Sequence, residues 1–307
     1  MASVTVSTSG TQSGGSRVVV RTSAGIPYVV VDTGNDIDIY KGNSTTPTSF
    51  SNTGTGPSAS TYGYCAVAID SSDIIHIAYY SVDGKNSALR YVTFVTSTDS
   101  FSGDTSIQDI GGASPTNPGV AIAVDSNDIP HVAWVDSKAN KGTDYDTIYY
   151  TNRVGGSWNT AVEIEGGSAS KNCRYPSITI ESQNLPVVSY TNSTDSDWAV
   201  AIGNVNNATS FTLQDIFASG DTTDNSSVCV DGNGRVYVAF SRTNGSYVLN
   251  YHTLGDSWAT WTTGLSGTGQ GTTVAAQAVS LFANGTDIYV FQTDSASDVG
   301  YDVYDGS

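Results

Sequence analysis

The feature that most constrains this chain of 307 residues is an internal repeat with a period of about fifty residues. Six short apolar segments recur, and their starts are separated by 48, 55, 56, 50 and 52 residues. The segments are PYVVVD (27–32), IHIAYY (75–80), PHVAWV (130–135), PVVSYT (186–191), VYVAFS (236–241) and IYVFQT (288–293). A fixed period of this length indicates a repeat architecture rather than several unrelated domains.

Each repeat reads as four short strands joined by turns. An apolar strand and a tight turn precede the recurring segment, as in VAID-SSDI and IAVD-SNDI, a third strand follows it, and a weaker fourth strand often ends the unit. Four short alternating strands per unit are typical of a propeller blade. We therefore predict an all-β fold: a six-bladed β-propeller of four-stranded antiparallel blades, forming a single domain over residues 1–307.

The two ends of the chain predict how the ring closes. The last repeat ends after its third strand, and the chain begins with a lone strand, residues 2–9 (ASVTVSTS), that belongs to no repeat. An open ring would leave two exposed sheet edges. We therefore expect this N-terminal strand to complete the last blade.

Composition agrees with a turn-rich β protein and argues against several partners. The formal net charge is −17, and the twelve Lys and Arg residues form no cluster, which argues against a nucleic-acid partner. The same negative field disfavours anionic ligands unless a local pocket overrides it. No apolar run approaches the roughly 18 residues of a membrane helix, so membrane insertion is not expected, and the N-terminus has no signal-peptide pattern.

Two polar positions recur in the repeats, and each could have either a catalytic or metal-binding role or a structural one. Asp70, Asp125 and Asp231 fall in the turn between first and second strands, where an Asp side chain can accept a hydrogen bond from the backbone two residues on. His76 and His131 share one column of the second strand. A catalytic or metal-binding histidine is not expected to repeat at equivalent sites around a ring. We interpret both columns as structural.

The order of these segments resembles the bacterial sialidase-like propellers that carry Asp boxes. In that family the turn between third and fourth strands reads Ser-x-Asp-x-Gly-x-x-Trp. The corresponding turns here are TNRVGGSW (151–158) and HTLGDSW (252–258), which keep Gly and Trp but lack the Asp. The resemblance covers the whole chain as architecture, and it implies the propeller fold.

The residues needed for sialidase activity are not all found at the matching positions of this sequence. The activity would need three arginines on a carboxylate, a Tyr–Glu nucleophile pair and an Asp acid/base, whereas the family's Arg-Ile-Pro segment resembles Gly-Ile-Pro at 25–27 here. Glu163 and Glu165 fall in an outer fourth strand, and Glu181 falls in the turn column. Other common catalytic motifs are missing. The sequence therefore favours a protein that is not an enzyme. The alternative is a hydrolase that uses a pair of Asp carboxylates.

No cofactor is predicted, although calcium is kept as an alternative. The stretch DSNDIPHVAWVD (125–136) begins like a calcium loop but lacks the Gly at position six and the Glu at position twelve. Cys65, Cys173 and Cys229 match no metal or redox spacing, so they do not indicate a redox compartment.

A ligand is expected on one face of the ring. In a propeller, the loop that leads into a blade's first strand and the loop joining its second and third strands meet at the mouth of the central channel, a concave site. Aromatic faces stack on sugar rings, so the side chains in these loops suggest a carbohydrate. The candidates are Tyr62, Tyr64, Tyr145, Arg174, Tyr175, Trp198 and Arg242. Because the loops differ between repeats, one composite site or docking surface is favoured over six identical pockets.

The function favoured by the sequence is that of a non-catalytic structural or binding propeller. We expect an outer component of a phage or virus particle or of an extracellular assembly, with protein neighbours and host-surface glycans as partners. The alternatives are a secreted or surface glycoside hydrolase or lyase built on the same ring, and a soluble lectin. The expected location is the virion, the extracellular space or the cell surface.

Overall fold

The structure is a computed structural model. It describes residues 18–58, 60–83, 86–111, 119–140, 143–166, 172–192, 197–218, 225–241, 247–252, 258, 260–267, 278–293 and 299–305. Within these residues all regular structure is β-sheet. None of them belongs to a helix long and apolar enough to cross a membrane.

The strands form six separate antiparallel sheets, which are the predicted blades. Blade 1 contains β1 (Val19–Arg21), β2 (Pro27–Asp32), β3 (Asp36–Gly42) and β4 (Phe50–Ser58). Blade 2 contains β5 (Ser60–Ile69), β6 (Ile74–Asp83), β7 (Asn86–Val95) and β8 (Ser100–Gly111). Blade 3 contains β9 (Val120–Val124), β10 (Pro130–Asn140), β11 (Thr143–Val154), β12 (Ser157–Trp158) and β13 (Val162–Gly166).

The second half of the chain continues the pattern. Blade 4 contains β14 (Cys173–Ile180), β15 (Pro186–Asn192), β16 (Asp197–Gly203) and β17 (Phe211–Ala218). Blade 5 contains β18 (Ser226–Val230), β19 (Val236–Ser241), β20 (Tyr247–His252) and β21 (Trp261–Gly267). Blade 6 contains β22 (Ala278–Asn284), β23 (Asp287–Thr293) and β24 (Val299–Asp305). The all-β propeller expected from the repeat is confirmed.

Blade 6 has three strands in the described part of the chain, where the first, second, fourth and fifth blades have four. β24 is its last strand and pairs only with β23 in that sheet. Residues 2–9, predicted to supply the missing strand, lie outside the described residues. Closure of the ring by this segment stays a prediction.

The apolar core lies between blades rather than within them. The first strands of neighbouring blades contact one another, β5 with β9, β9 with β14, β14 with β18 and β18 with β22, so they form the inner wall of the ring. Outside this wall the faces of successive blades from 1 to 6 pack together, as where Tyr28 and Val30 of blade 1 meet Ile77 and Tyr79 of blade 2. Since both faces are covered, a second strand such as β19 is buried along its whole length.

The turn between first and second strands is folded by its own carboxylate, as the sequence predicted. Oδ1 of Asp70 accepts hydrogen bonds from the backbone N–H groups of Ser72 and Ile74, at 2.9 and 2.8 Å. Asp125, Glu181 and Asp231 do the same in blades 3, 4 and 5. We call the end of the propeller that carries these turns the turn face, and the opposite end the loop face.

The two repeated histidines are buried beside this turn. Nδ1 of His76 lies 2.5 Å from the Tyr91 hydroxyl and its Nε2 lies 3.1 Å from Oδ2 of Asp70. In blade 3, Nδ1 of His131 lies 2.6 Å from the Tyr150 hydroxyl, with Nε2 3.6 Å from Oδ2 of Asp125.

Burial lowers the pKa of both histidines, that of His131 to about 4, although the neighbouring Asp opposes the shift. Each ring is therefore neutral near pH 7. In blade 2 a neutral His76 ring with its proton on Nε2 would donate to Asp70 and accept from the Tyr91 hydroxyl at Nδ1. Repetition of this arrangement agrees with a structural role.

Candidate functional site

The loop face brings together part of the predicted site. Arg174 and Tyr175 stand at the start of β14, where blade 4 begins beside blade 3. Tyr64 lies in β5 and is half-buried, packed against the core between blades 2 and 3. The side chains of Tyr62 and Tyr145, and the whole of Arg242, lie outside the described part of the chain. Of the predicted residues, Arg174 and Tyr175 therefore lie on the loop face at the start of a described strand, and their role in a site stays a prediction.

Trp198 was predicted to lie in a loop with its ring available to a ligand, and this placement is wrong. The residue belongs to β16, pairs with Thr191 and has no exposed surface. Its ring stacks on Phe240 of blade 5, with centroids 5.0 Å apart and planes 4° from parallel. The strand begins one residue before Trp198, so the tryptophan is a core residue between blades 4 and 5.

Arg174 is anchored by a buried carboxylate from the neighbouring blade. Its Nε donates to Oδ2 of Asp146 at 2.8 Å, and the Asp146 side chain is only 2% exposed while that of Arg174 is 24% exposed. The backbone N–H of Asp146 donates to the side-chain oxygen of Asn172 at 2.9 Å. A charge-assisted bond to a buried acceptor limits the motion of the guanidinium group. Arg174 thus holds a defined position at the boundary of blades 3 and 4.

Tyr175 has an unusual backbone conformation for its residue type. Its φ angle is +53°, in the left-handed region, and the register of β14 against β15 shifts between Arg174 and Ser177. Such a conformation costs roughly 1–3 kcal/mol in a residue other than glycine and persists where neighbours impose it. Here the Tyr175 carbonyl accepts a hydrogen bond from Oγ of Ser226 in blade 5, at 2.9 Å. The bulge therefore holds the Tyr175 backbone against blade 5, and the residue is half-buried.

Several polar groups on the same face were not found by sequence reasoning. The Tyr190 hydroxyl of blade 4 donates to Oε2 of Glu165 in blade 3 at 2.7 Å, although Glu165 had been assigned only to an outer strand. The backbone N–H of Asn172 donates to the side-chain oxygen of Asn192 at 3.3 Å. Asn225, at the start of blade 5, is fully buried, and its amide makes no hydrogen bond to any described residue.

The axis of the ring offers much less chemistry than this face. A cavity of about 30 Å³ lies between the first strands of blades 3 to 6, lined by aliphatic side chains and by Ser177, Ser227 and Ser280. Two of these serines bond neighbouring strands, since Oγ of Ser177 accepts from the Val228 N–H at 3.2 Å and Oγ of Ser227 from the Leu281 N–H at 3.0 Å. A space of this size holds about two water molecules. Among the described residues, its lining carries no acid or base.

The described residues also bear on metal binding. In the ranges that the structure describes, no three His, Cys, Asp or Glu side chains gather as a metal site would require. The calcium alternative from the sequence is therefore left to experiment.

Comparison with known proteins supports the fold. The sequence matches no protein-family profile and no curated protein. Among solved structures, an α-L-arabinofuranosidase from Fusarium graminearum aligns with a TM-score of 0.66 at 10% identity, over 94% of this chain and 91% of that one. An α-L-arabinanase from Penicillium chrysogenum in complex with arabinobiose aligns with a TM-score of 0.61 at 12% identity, over 94% and 92% of the two chains.

A lectin gives a third match. The Aleuria aurantia lectin in complex with Fucα1-6GlcNAc aligns with a TM-score of 0.56 at 12% identity, over 93% of each chain. At these identities the matches support the propeller fold alone and assign no residues.

Proposed function

We propose that the protein binds a glycan on its loop face, at a site around Arg174 and Tyr175, where blades 3, 4 and 5 meet. The observation that carries the proposal is that two consecutive residues at the start of β14, a partly exposed arginine and a half-buried tyrosine, are each held by a contact with a neighbouring blade. Asp146 holds the first and Ser226 holds the backbone of the second. Preorganised groups of this kind lose little freedom on binding, and tyrosine supplies an apolar face for a sugar ring.

The comparisons add support at the level of the fold. Each of the three structures named above is, by its own description, an enzyme acting on a carbohydrate or a lectin. This similarity is one between folds. It favours a glycan ligand but does not locate the binding site. The virion component expected from composition has no counterpart among these three, and we do not retain it. An extracellular or cell-surface location, where glycans are displayed, belongs to the proposal.

A glycoside hydrolase or lyase is the second candidate. Its support is the presence of two carboxylates, Asp146 and Glu165, in blade 3 on the same side as Arg174. Glycosidases use such a pair, one carboxyl as acid and the other as base or nucleophile. Against this role, each carboxylate accepts a hydrogen bond from blade 4, Asp146 from Arg174 and Glu165 from Tyr190. Binding is therefore the function that the geometry supports better.

The experiment is a glycan array with the purified protein, with and without added calcium, scored for both retention and cleavage. We expect retention of one sugar class, without cleavage. The Tyr175→Ala variant should lose most of this retention, whereas Tyr175→Phe, which keeps the ring, should keep it. Cleavage of a retained sugar would favour the hydrolase. Equal retention by Tyr175→Ala and the unmodified protein would place the binding elsewhere.

A further inference from the structure

We infer that Ser189 is a positioning residue for the glycan site, because its hydroxyl orients Ser226 and Ser226 holds the backbone of Tyr175. The inference rests on the proposed function and adds to it a residue that a ligand cannot touch. Ser189 lies in β15 and has no exposed surface, and the same is true of Ser226 in β18. An effect of Ser189 on binding must therefore pass through the residues that it contacts.

The two hydrogen bonds have a fixed direction. The Oγ atoms of Ser189 and Ser226 lie 3.0 Å apart, and Oγ of Ser226 lies 2.9 Å from the Tyr175 carbonyl oxygen. A carbonyl oxygen can only accept, and a serine hydroxyl has one proton to donate. Ser226 therefore donates to Tyr175, and the proton between the two serines comes from Ser189. In such a chain each bond polarises and strengthens the next one.

This chain of hydroxyls leaves blade 4 and returns to it. Ser189 and Tyr175 belong to blade 4, whereas Ser226 begins the first strand of blade 5. The backbone of Tyr175 is therefore held by a group of its own blade, acting through the neighbouring blade.

Both hydroxyls stand where other blades carry apolar side chains. Ser189 is the fourth residue of its recurring segment, and the same place in the other five segments is apolar. Those five residues are Val30, Ala78, Ala133, Ala239 and Phe291. Ser226 lies opposite Phe240, as Val120 lies opposite Trp134 in blade 3. Packing between blades thus needs no hydroxyl at either place, and this pair is connected to Tyr175.

Tyr175 needs such support because two local preferences oppose its conformation. Its φ angle of +53° lies in the left-handed region, which is unfavourable for a residue with a side chain. A residue before a proline, here Pro176, prefers extended backbone with φ of about −120°. When the bond from Ser226 weakens, the extended form gains population and its side chain leaves the backbone in another direction. The apparent affinity for a ligand then falls with the fraction of competent protein.

The Tyr175 carbonyl can be observed directly. Tyr175–Pro176 is the only Tyr-Pro pair in the sequence, so labelling tyrosine carbonyls with ¹³C and proline with ¹⁵N leaves one coupled carbonyl resonance. We expect Ser189→Ala to shift this resonance, because Ser226 then bonds the carbonyl less strongly. Alanine should be accommodated, since it already holds this place in blades 2, 3 and 5.

A second pair of variants isolates the hydroxyl from the size of the side chain. Ser189→Thr and Ser189→Val have the same shape, and Val30 holds this place in blade 1. The threonine variant keeps the hydroxyl and should keep the resonance, whereas the valine variant should shift it as alanine does. This comparison decides the question if the alanine variant does not fold.

The same variants test the link to binding. For the sugar retained on the array, we expect the Kd to rise about five-fold in Ser189→Ala, the effect of about one hydrogen bond, and to stay unchanged in Ser189→Thr. The matched control is Ser227→Ala, which removes a hydroxyl that accepts from the Leu281 N–H at 3.0 Å between blades 5 and 6. This control should lower the urea midpoint and leave both the Kd and the Tyr175 resonance unchanged.

Three results would overturn the inference while leaving glycan binding at Tyr175 intact. The first is an unchanged resonance in Ser189→Ala and Ser189→Val, which would mean that the bonds are not formed. The second is an unchanged Kd in these variants when Tyr175→Ala abolishes retention. The third is an equal loss in Ser227→Ala, which would assign the effect to general stability. Silence of the unmodified protein on every sugar would instead overturn the proposed function and this inference together.

Discussion

Asp128 accepts two hydrogen bonds from Ser71, a residue 57 positions earlier in the preceding blade. The backbone N–H of Ser71 donates to Oδ1 at 2.8 Å, and its hydroxyl donates to Oδ2 at 2.7 Å. Asp73 accepts the same pair of bonds from Ser23 at 2.6 and 2.7 Å. We call this arrangement the serine latch. The serine latch joins neighbouring blades at the turn face. In contrast, the first carboxylate of each turn accepts hydrogen bonds from the backbone of its own turn.

The serine latch should contribute measurably to stability. Asp128 has a φ angle of +62°, so Asp128→Gly removes the side chain without adding backbone strain, and Gly234 already occupies the equivalent place in blade 5. We expect a lower urea midpoint for this variant and a smaller change for Asp128→Asn, because Asn184 takes this role in blade 4. Ser71→Ala should add nothing further in the Asp128→Gly background. Fully additive effects would show that the contact is not formed.

The latch should also be visible in the titration of its acceptor. The hydroxyl and backbone bonds from Ser71 lower the pKa of Asp128. In Ser71→Ala one of the two bonds is lost, so the pKa of Asp128 should rise towards the usual aspartate range. Carboxyl chemical shifts followed through an acid titration would measure it. An unchanged value would mean that the hydroxyl does not contact the carboxylate in solution.

Stability should depend on pH through the buried histidines. The pKa of His131 is about 4 in the fold against 6.5 for an exposed histidine. The unfolded chain therefore binds a proton that the folded chain does not, and the free energy of unfolding should fall as pH drops from about 6.5 to about 4, by about 3 kcal/mol for this residue. Urea unfolding at several pH values measures the slope.

His131→Val is the matched variant, since Val187 holds the same column in blade 4 beside a turn folded by Glu181. This variant should flatten the pH slope, leaving the part due to His76. An unchanged slope would assign the pH dependence to other groups.

Trp198 should behave as a core residue. Replacing it with Ala removes a fully buried ring and its stack on Phe240, so we expect a loss of about 3–5 kcal/mol in the free energy of unfolding. Trp198→Phe keeps an aromatic ring against Phe240 and should cost less. At a temperature where it remains folded, Trp198→Phe should retain glycans like the unmodified protein. If the variant were fully stable and lost only its glycan retention, Trp198 would instead belong to the binding surface.

The N-terminal strand gives a prediction about blade 6. Phe282, Tyr301 and Val303 are 54%, 56% and 51% exposed on this three-stranded sheet, and Val19 of blade 1 is 47% exposed. If residues 2–9 complete blade 6, the ring closes and these surfaces face each other. Deleting residues 2–9 should then lower the urea midpoint and increase binding of a hydrophobic dye. Identical stability of the shortened protein would argue that the segment plays no part in closure.

Much of the fold could be predicted because it is local and repeated. A strand needs only alternating apolar residues, and a turn folded by its own Asp needs only the spacing of DSSD or DSND, so both are visible in a single repeat. The serine latch left a signal as well, since a serine follows the turn carboxylate and an Asp or Asn ends the turn in consecutive repeats. This signal was not recognised in the sequence, because the latch joins residues of two different repeats, whereas the strand and turn patterns lie within one repeat.

The candidate site was harder to predict because it depends on relations between blades. Asp146 and Arg174 are 28 residues apart, and only the packing of blade 4 on blade 3 brings them together. The segment before Trp198 is rich in Asp and Ser, which suggested that the loop continues. The strand starts at Asp197, and its register against β15 then directs the ring into the core. The left-handed backbone at Tyr175 lies at a bulge whose carbonyl accepts a bond from blade 5, and it has no sequence signature of its own.

The small serine-lined cavity at the axis decides how a long polymer could meet this protein. A space sized for two water molecules does not admit a sugar ring, let alone a chain of them. On the proposed function, the sugar units of a polysaccharide would therefore contact the loop face around Arg174 and Tyr175 without entering this cavity. Binding of this kind would need no free chain end, so the protein could attach within a chain as well as at its terminus.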